Sequence, residues 1–320
     1  MSIHSKLVQA VSRKTIKRHG LNKDQTLKHL RTVFNNTPAV PLIPRGVKIR
    51  RIDLPEFKGE RVSVHNPRMT ILYFHGGAFV GGVTKTYHNL AARLAKQLKA
   101  EVFLATYPLA PEAPFPAATE RCLEAYRYLL RLDKDPKNIV IAGDSAGGSL
   151  ALTSLLQIKD NQLPNPRCAV LLSPATTALP EEEKLLAQCP TDAMLSATLV
   201  KRIIDLYLPN KEDRSHPYAS PLFGDYTGLP PIMFMASKDE ILYHDALQAK
   251  DRAIAAGVDV EWFARSGVCH VWPIMVPFLP EANRDLKRII RFIRHYEPTA
   301  KSLTEHNRHS QYLATAGATA

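Results

Sequence analysis

Six short, mainly apolar runs recur between segments of helix length, and this alternation limits what the chain can fold into. The runs are Thr70–Phe74, Val102–Tyr107, Ile139–Ala142, Ala169–Ser173, Ile232–Ala236 and Val258–Phe263. Strands apolar on both faces must be covered on both, which is the environment of a parallel sheet. Helices are expected near 85–99, 117–132, 146–158, 243–256 and 281–296. Strand and helix in this order call for right-handed crossovers and an α/β fold, a mostly parallel sheet with helices on both faces. Two further strands, Val47–Leu54 and Arg61–His65, come before the rhythm and are expected to join at a turn on Gly59. With 320 residues, 45% hydrophobic and 22% charged, the chain can bury a sizeable core.

Two regions depart from the rhythm. Residues 1 to about 36 carry apolar positions at helical spacing (Leu7, Val11, Ile16, then Leu27, Leu30, Phe34) and predict two helices broken near Gly20-Leu21-Asn22. A proline-rich linker, Thr37–Pro44, follows and cannot continue a helix. Residues 176–228 are rich in charge and proline, with one helix at Ser196–Leu208, and suggest an insertion above the sheet. The chain therefore divides into N-terminal helices and linker (1–44), an α/β body (45–296) carrying the insertion, and a polar, flexible tail (297–320).

The net charge of +12 is concentrated at the N-terminus: residues 1–51 hold twelve Lys or Arg and one acidic residue, a net of +11. No aromatic interleaving or zinc-finger spacing accompanies it, so nucleic acid is not expected as a partner. A basic amphipathic helix leaves weak membrane-surface contact open, and a homodimer is equally open. No apolar run approaches the roughly 18 residues that span a bilayer, and the N-terminus lacks an apolar signal region. Cys122, Cys168, Cys189 and Cys269 show no metal-ligand spacing and are too few for a disulfide scaffold. Reduced thiols in a cytoplasmic protein follow.

The chemistry concentrates around Gly143-Asp144-Ser145-Ala146-Gly147-Gly148, between the strand ending at Ala142 and the helix that follows. Glycines on either side of a serine in a strand–turn–helix permit the sharp turn that lifts Ser145 Oγ above the sheet as a nucleophile. Upstream, Ile71–Phe74 runs into His75-Gly76-Gly77-Ala78-Phe79-Val80-Gly81-Gly82. Glycines at a strand end let backbone N–H groups approach an oxyanion, paired with the N–H of Ala146. The stretch lacks the Lys of a P-loop and fits Rossmann spacing poorly. His75 is expected to hydrogen-bond within this loop.

Nucleophilic serine needs a base and the base an orienting carboxylate, in the chain order Ser, Asp or Glu, His. Asp239 follows the strand ending at Ala236, and His270 follows the last strand, both on the edge of the sheet that bears Ser145. Glu240 and Asp245 compete with Asp239. Asp245 is expected inside the next helix and facing away, and Glu240 on the other side of the turn. His216 and His244 are expected at the surface or in packing, as is Cys269.

Together HGGAFVGG (75–82), YPLAPEAPFPAA (107–118), GDSAGG (143–148), DEIL (239–242) and CHVW (269–272) resemble the hormone-sensitive-lipase-like family of α/β-hydrolases, which includes bacterial carboxylesterases and arylacetamide deacetylases. The resemblance covers roughly residues 45–296. It implies an eight-stranded core, a helical cap from the N-terminal helices and the insertion, and hydrolysis of small-molecule carboxylic esters without metal or cofactor. It also implies Ser145 as nucleophile, His270 as base, Asp239 as its partner, and an oxyanion hole drawn from Gly76, Gly77, Ala78 and Ala146. Ala78 stands where the family often has a third glycine, and a backbone donor there is expected to require negative φ. The same site could serve a lipase or an arylacetamide-type amidase. A non-catalytic receptor on this scaffold, as in the gibberellin receptors that lose the histidine, fits less well because Ser, Asp and His are all present.

Overall fold

The computed structural model describes residues 1–16, 22–36, 40–188 and 190–298. All six residues of β3 (Met69–Phe74) are buried, and the strand sits at the middle of an eight-stranded sheet. Around it lie β1 (Lys48–Asp53), β2 (Lys58–Ser63), β4 (Ala100–Ala105), β5 (Ile139–Asp144), β6 (Cys168–Leu172), β7 (Ile232–Ser237) and β8 (Val260–Arg265), in the order β1-β2-β4-β3-β5-β6-β7-β8. β1 and β2 pair antiparallel, as do β2 and β4; every other pair is parallel. The strand order turns back at β3, with β4 on one side and β5 on the other. Such a switch opens a crevice beyond the carboxyl ends of the strands.

Alternate side chains feed two cores, as the two-residue period of a strand requires. Leu72, Phe74, Ile139 and Ile141 face α4 (Ala117–Arg131), α5 (Ala146–Asp160) and α8 (Tyr243–Ala255). Ile71, Tyr73, Val140 and Ala142 face α3 (Lys85–Leu98) and α9 (Pro280–His295). Helix α5 buries every residue from Ala146 to Ile158, because it lies against β5 and β6 on one side and meets the 176–228 segment on the other. Thr153 Oγ1 donates to Tyr218 O across that second boundary.

Helices α1 (Ile3–Thr15) and α2 (Lys23–Asn35) occupy the N-terminal segment; of the expected break between them only Asn22, the N-cap of α2, lies within the described residues. Residues 37–39 of the expected linker, Cys189 and the tail from 299 onward also lie outside. The 176–228 segment holds α7 (Ala197–Tyr207) and a short α6 (Glu182–Gln188) that sequence reasoning did not anticipate. No described helix is long and apolar enough to cross a membrane.

The expected turn at Gly59 is corrected: Gly59 lies inside β2, opposite Ile52 of β1 and Ala105 of β4. The turn instead falls at 54–57, closed by Leu54 N donating to Phe57 O at 2.9 Å. Glycine is needed at 59 because a Cβ there would lie 2.1 Å from the carbonyl oxygen of Leu104. Strand β8 likewise begins two residues later than expected, at Val260, and β7 runs one residue further, to Ser237.

At the far edge, fully buried Asp285 on α9 accepts both Nε and Nη2 of Arg265 at 2.6 and 2.7 Å, and Trp272 Nε1 at 2.9 Å. One carboxylate thus pins the end of β8 and the loop after it to α9. Asp285→Ala would strand a guanidinium and a buried indole N–H, a loss of about 3 kcal/mol or more. Denaturant unfolding should register it as a lower midpoint with unchanged slope.

Candidate active site

The turn after β5 is forced by crowding. A Cβ on Gly143 would sit 2.2 Å from Gly147 O, and one on Gly147 would sit 2.1 Å from Phe74 O. With glycine at both places, α5 starts directly against the ends of β3 and β5. Ser145 takes φ 53 and ψ −121, a conformation an L-residue rarely adopts. Its N–H donates to Leu172 O at 2.8 Å, tying the turn to β6.

Ser145 Oγ lies 2.9 Å from His270 Nε2. The other ring nitrogen, Nδ1, lies 2.6 Å from Glu240 Oε2, and both side chains are buried. Burial alone would lower the His270 pKa, but the adjacent Glu240 carboxylate, and Asp192 and Asp144 beyond it, raise it above the ordinary value. In the neutral ring Nδ1–H donates to Glu240, and Nε2 is the acceptor facing the serine hydroxyl.

The expected partner of His270 is corrected here. Asp239 is half-buried and turned away, its Oδ2 accepting the N–H of Gly267 at 2.5 Å. Glu240 instead folds under the turn, where Oε1 accepts the N–H of Ser237 at 3.0 Å and Oε2 reaches the imidazole. The additional residue of β7 moves the turn along by one position, and the longer Glu side chain spans the gap. Asp245 is in α8, buried and turned to the N–H of Thr176, with its pKa pushed up to about 7 by burial. His216 contacts Phe115 and Tyr218, and His244 lies by Gln188, away from the serine. Cys269 packs beside Met275, and burial pushes its thiol up to about 12.

The glycine loop after β3 closes on itself, with the N–H groups of Val80 and Gly81 donating to Gly77 O at 3.0 and 2.8 Å. Gly76 is removed from the candidate oxyanion donors, because its N–H is already taken by Asp144 Oδ1 at 3.0 Å and Tyr87 Oη at 2.8 Å. Ala78 also departs from expectation: its φ is 57, followed by 59 at Phe79. Left-handed backbone costs a non-glycine residue roughly 1–2 kcal/mol, and the surrounding contacts hold it there. Phe79 O accepts Ala110 N–H at 2.9 Å, and its ring stacks on Tyr207 at 3.8 Å. Ala78 and Ala146 line the pocket over Ser145. His75 Nδ1 meets Gly76 O at 2.7 Å within the loop, and burial lowers its pKa to about 4, so the ring is neutral.

Several residues that build this site were missed from sequence. Asp144 is buried and accepts Tyr73 Oη, Tyr87 Oη and Gly76 N–H at 2.9, 3.0 and 3.0 Å; burial nevertheless raises its pKa to about 6. An acid directly before the serine, at the end of an apolar strand, was the available signal, since a buried carboxylate must find donors. Buried Asp192, in the 176–228 segment, accepts Ile241 N–H at 2.7 Å and so braces the turn that carries Glu240. Arg31 of α2 donates to Val80 O and Ala110 O at 3.2 Å and pairs with Glu112. Neither residue carries a motif.

The pocket over Ser145 is a small apolar cavity of about 70 Å³, walled by Phe79, Ala178, Leu195, Ile204, Tyr207 and Leu208. Most of this wall comes from α7 and its flanks. A basic acceptor on a serine hydroxyl, beside backbone donors and under an apolar roof, is the apparatus of acyl transfer.

Comparison with known proteins points the same way. A family model described as alpha/beta hydrolase fold matches residues 71–274. An acetyl-hydrolase of Streptomyces hygroscopicus is 35% identical over 225 residues, covering 70% of this chain and 75% of its own. An esterase of Acinetobacter venetianus is 33% identical over 247 residues, covering 77% and 82% respectively. The crystal structure of an esterase from the bacterial hormone-sensitive lipase family superposes with a TM-score of 0.84 at 30% identity, covering 93% of this chain and 99% of its own.

The geometry separates the two neighbouring acids by a measurement on His270 itself. Glu240→Gln removes the carboxylate and leaves burial, so the His270 pKa should fall by about one pH unit or more. Asp239→Asn should leave it nearly unchanged. Histidine NMR titration of the two variants decides which acid faces the ring.

Proposed function

This chain belongs to the hormone-sensitive-lipase-like family of α/β-hydrolases, and on that footing we propose that it is a serine carboxylesterase using Ser145, His270 and Glu240. The observation that carries the proposal is the pair of contacts at 2.9 and 2.6 Å that links serine, imidazole and carboxylate in line. His270 Nε2 takes the hydroxyl proton as Ser145 Oγ attacks the ester carbonyl. The N–H of Ala146, with one from Gly77 or Ala78, stabilises the oxyanion, helped by the positive end of α5. His270 then returns its proton to the departing alcohol, and water repeats the sequence on the acyl-enzyme. Glu240 holds the ring in the tautomer that makes Nε2 basic and stabilises the imidazolium that forms.

The narrow pocket, and relatives named for acetyl and general ester hydrolysis, favour short acyl chains over the long chains of a lipase. The aromatic pair Phe79–Tyr207 limits how far an acyl chain can extend beside Ser145.

With p-nitrophenyl esters of increasing chain length, kcat/KM should peak at acetate to butyrate and decline steeply by decanoate. Faster turnover of decanoate above its solubility limit would favour the lipase reading, and a faster arylamide the amidase reading. Ser145→Ala should abolish turnover, by about 10⁴-fold or more, and Glu240→Gln should cost about 10³-fold or more, whereas Asp239→Asn should cost less than about tenfold.

The pH profile follows from the same pair. Attack needs neutral His270, so kcat/KM falls as pH drops through its pKa. That pKa is held above the ordinary 6.5, so the acid limb should lie above that pH. An acid limb below it in stopped-flow acylation would mean that Glu240 is not supporting the imidazolium.

A further inference from the structure

Helix α1 is mounted with its apolar face outward. Its serines face the body of the protein: Ser5 and Ser12 are buried, Ser5 Oγ donates to Gly267 O at 2.5 Å, and Ser2 donates through N and Oγ to Glu281 at 2.7 and 2.9 Å. Arg13 donates to the carbonyls of Pro190, Thr191 and Asp192. The apolar residues face solvent instead, with Ile3 82% exposed, Leu7 63% and Val11 52%. Val8 alone packs in part against the core. At about 100° per residue, Ile3, Leu7, Val11 and Lys14 share one stripe, with Lys6 on one flank and His4 on the other. A surface helix ordinarily turns such a stripe to the core. Here side-chain hydrogen bonds hold it in the opposite sense.

We propose that this face of α1 docks on an anionic lipid surface. The charge argues for lipid: residues 1–23 hold six Lys or Arg and no acidic residue, within an N-terminal segment of net +11. An interfacial helix combines these two things, an apolar stripe that enters the headgroup boundary and flanking cations that attract anionic lipid. A second copy of the chain fits less well. An isologous contact through α1 would bring two like-charged strips together, and one face of a 13-residue helix is small beside the roughly 800 Å² per partner of a stable interface. The helix is already folded and anchored by its polar face, so docking needs no rearrangement of the catalytic body. Its placement also sets the esterase at a membrane surface without inserting any segment across it.

Co-sedimentation of the full chain with phosphatidylcholine vesicles, with and without phosphatidylglycerol, tests the proposal. The protein should partition onto the phosphatidylglycerol vesicles at low salt, be released at high salt, and stay in solution with phosphatidylcholine alone. The triple variant I3S/L7S/V11S should lose binding by about tenfold or more, and K6E/K14E by a similar factor. Both should keep wild-type turnover of p-nitrophenyl acetate, which establishes that they are folded. Absence of wild-type binding to either vesicle would overturn the proposal, as would undiminished binding by the triple variant. It would equally be overturned if sedimentation velocity gave a wild-type dimer that the triple variant converts to monomer.

Discussion

The carboxylate of Asp144 is the junction on which the rest of the site depends. A buried charge is costly unless its lone pairs are filled, and here two tyrosine hydroxyls and a backbone N–H fill them. Those donors come from the end of β3, the glycine loop and α3, so one side chain joins the loop to the turn that carries Ser145. The loop cannot drift without exposing an ion to an apolar interior. This connection also takes Gly76 N–H out of service, while Ala78 and Phe79 further along the loop line the pocket over Ser145. The left-handed strain at Ala78 and Phe79 is held further along the loop, by Ala110 N–H on Phe79 O and by the Phe79–Tyr207 stack.

Around this junction the remaining machinery is assembled from distant parts of the chain. β5 delivers the serine, the turn after β7 delivers Glu240, and the loop after β8 delivers His270. Each strand ends on the same edge because parallel pairing with right-handed crossovers leaves no other arrangement. The N-terminal helices and the 176–228 segment then brace these loops from outside. Arg31 of α2 grips the glycine loop, while Arg13 of α1 grips the 190–192 turn, from which Asp192 and Thr191 hold the backbone at Ile241 and Asp239. The 176–228 segment that walls the pocket over Ser145 is therefore mechanically continuous with the turn that carries Glu240.

Much of this could be read from the linear pattern. Uniform apolarity of Ile71–Phe74 and Ile139–Ala142 marked central strands, and glycines flanking Ser145 marked a turn that no larger residue could make. Those signals are local: they depend on periodicity and on steric limits at single positions. Gly59 shows where local reasoning failed, because a glycine inside a strand looks the same as one in a turn until the Leu104 carbonyl opposite it is known. Ala78 failed for a similar reason, since positive φ at alanine is imposed by surrounding contacts rather than by its own preference. Asp192 and Arg31 had no readable signal for their place in the site, as the contacts that put them there, to Ile241 and to Val80, each span 49 residues of chain.

The sequence by itself determined the α/β class and marked Ser145 and His270 as the residues to look for, because a serine between glycines at a strand–helix turn and a histidine in the loop after the last strand are local signals. Only the tertiary structure decided which of two adjacent acids meets the His270 ring. Asp239 and Glu240 differ by one methylene and one position, and both follow the same strand. The choice between them rests on a one-residue extension of β7 and the reach of a longer side chain, so that Glu240 meets His270 while Asp239 caps the backbone at Gly267. Such a difference has no trace in periodicity or composition, since it depends on where two loops from separate strands come to rest against each other.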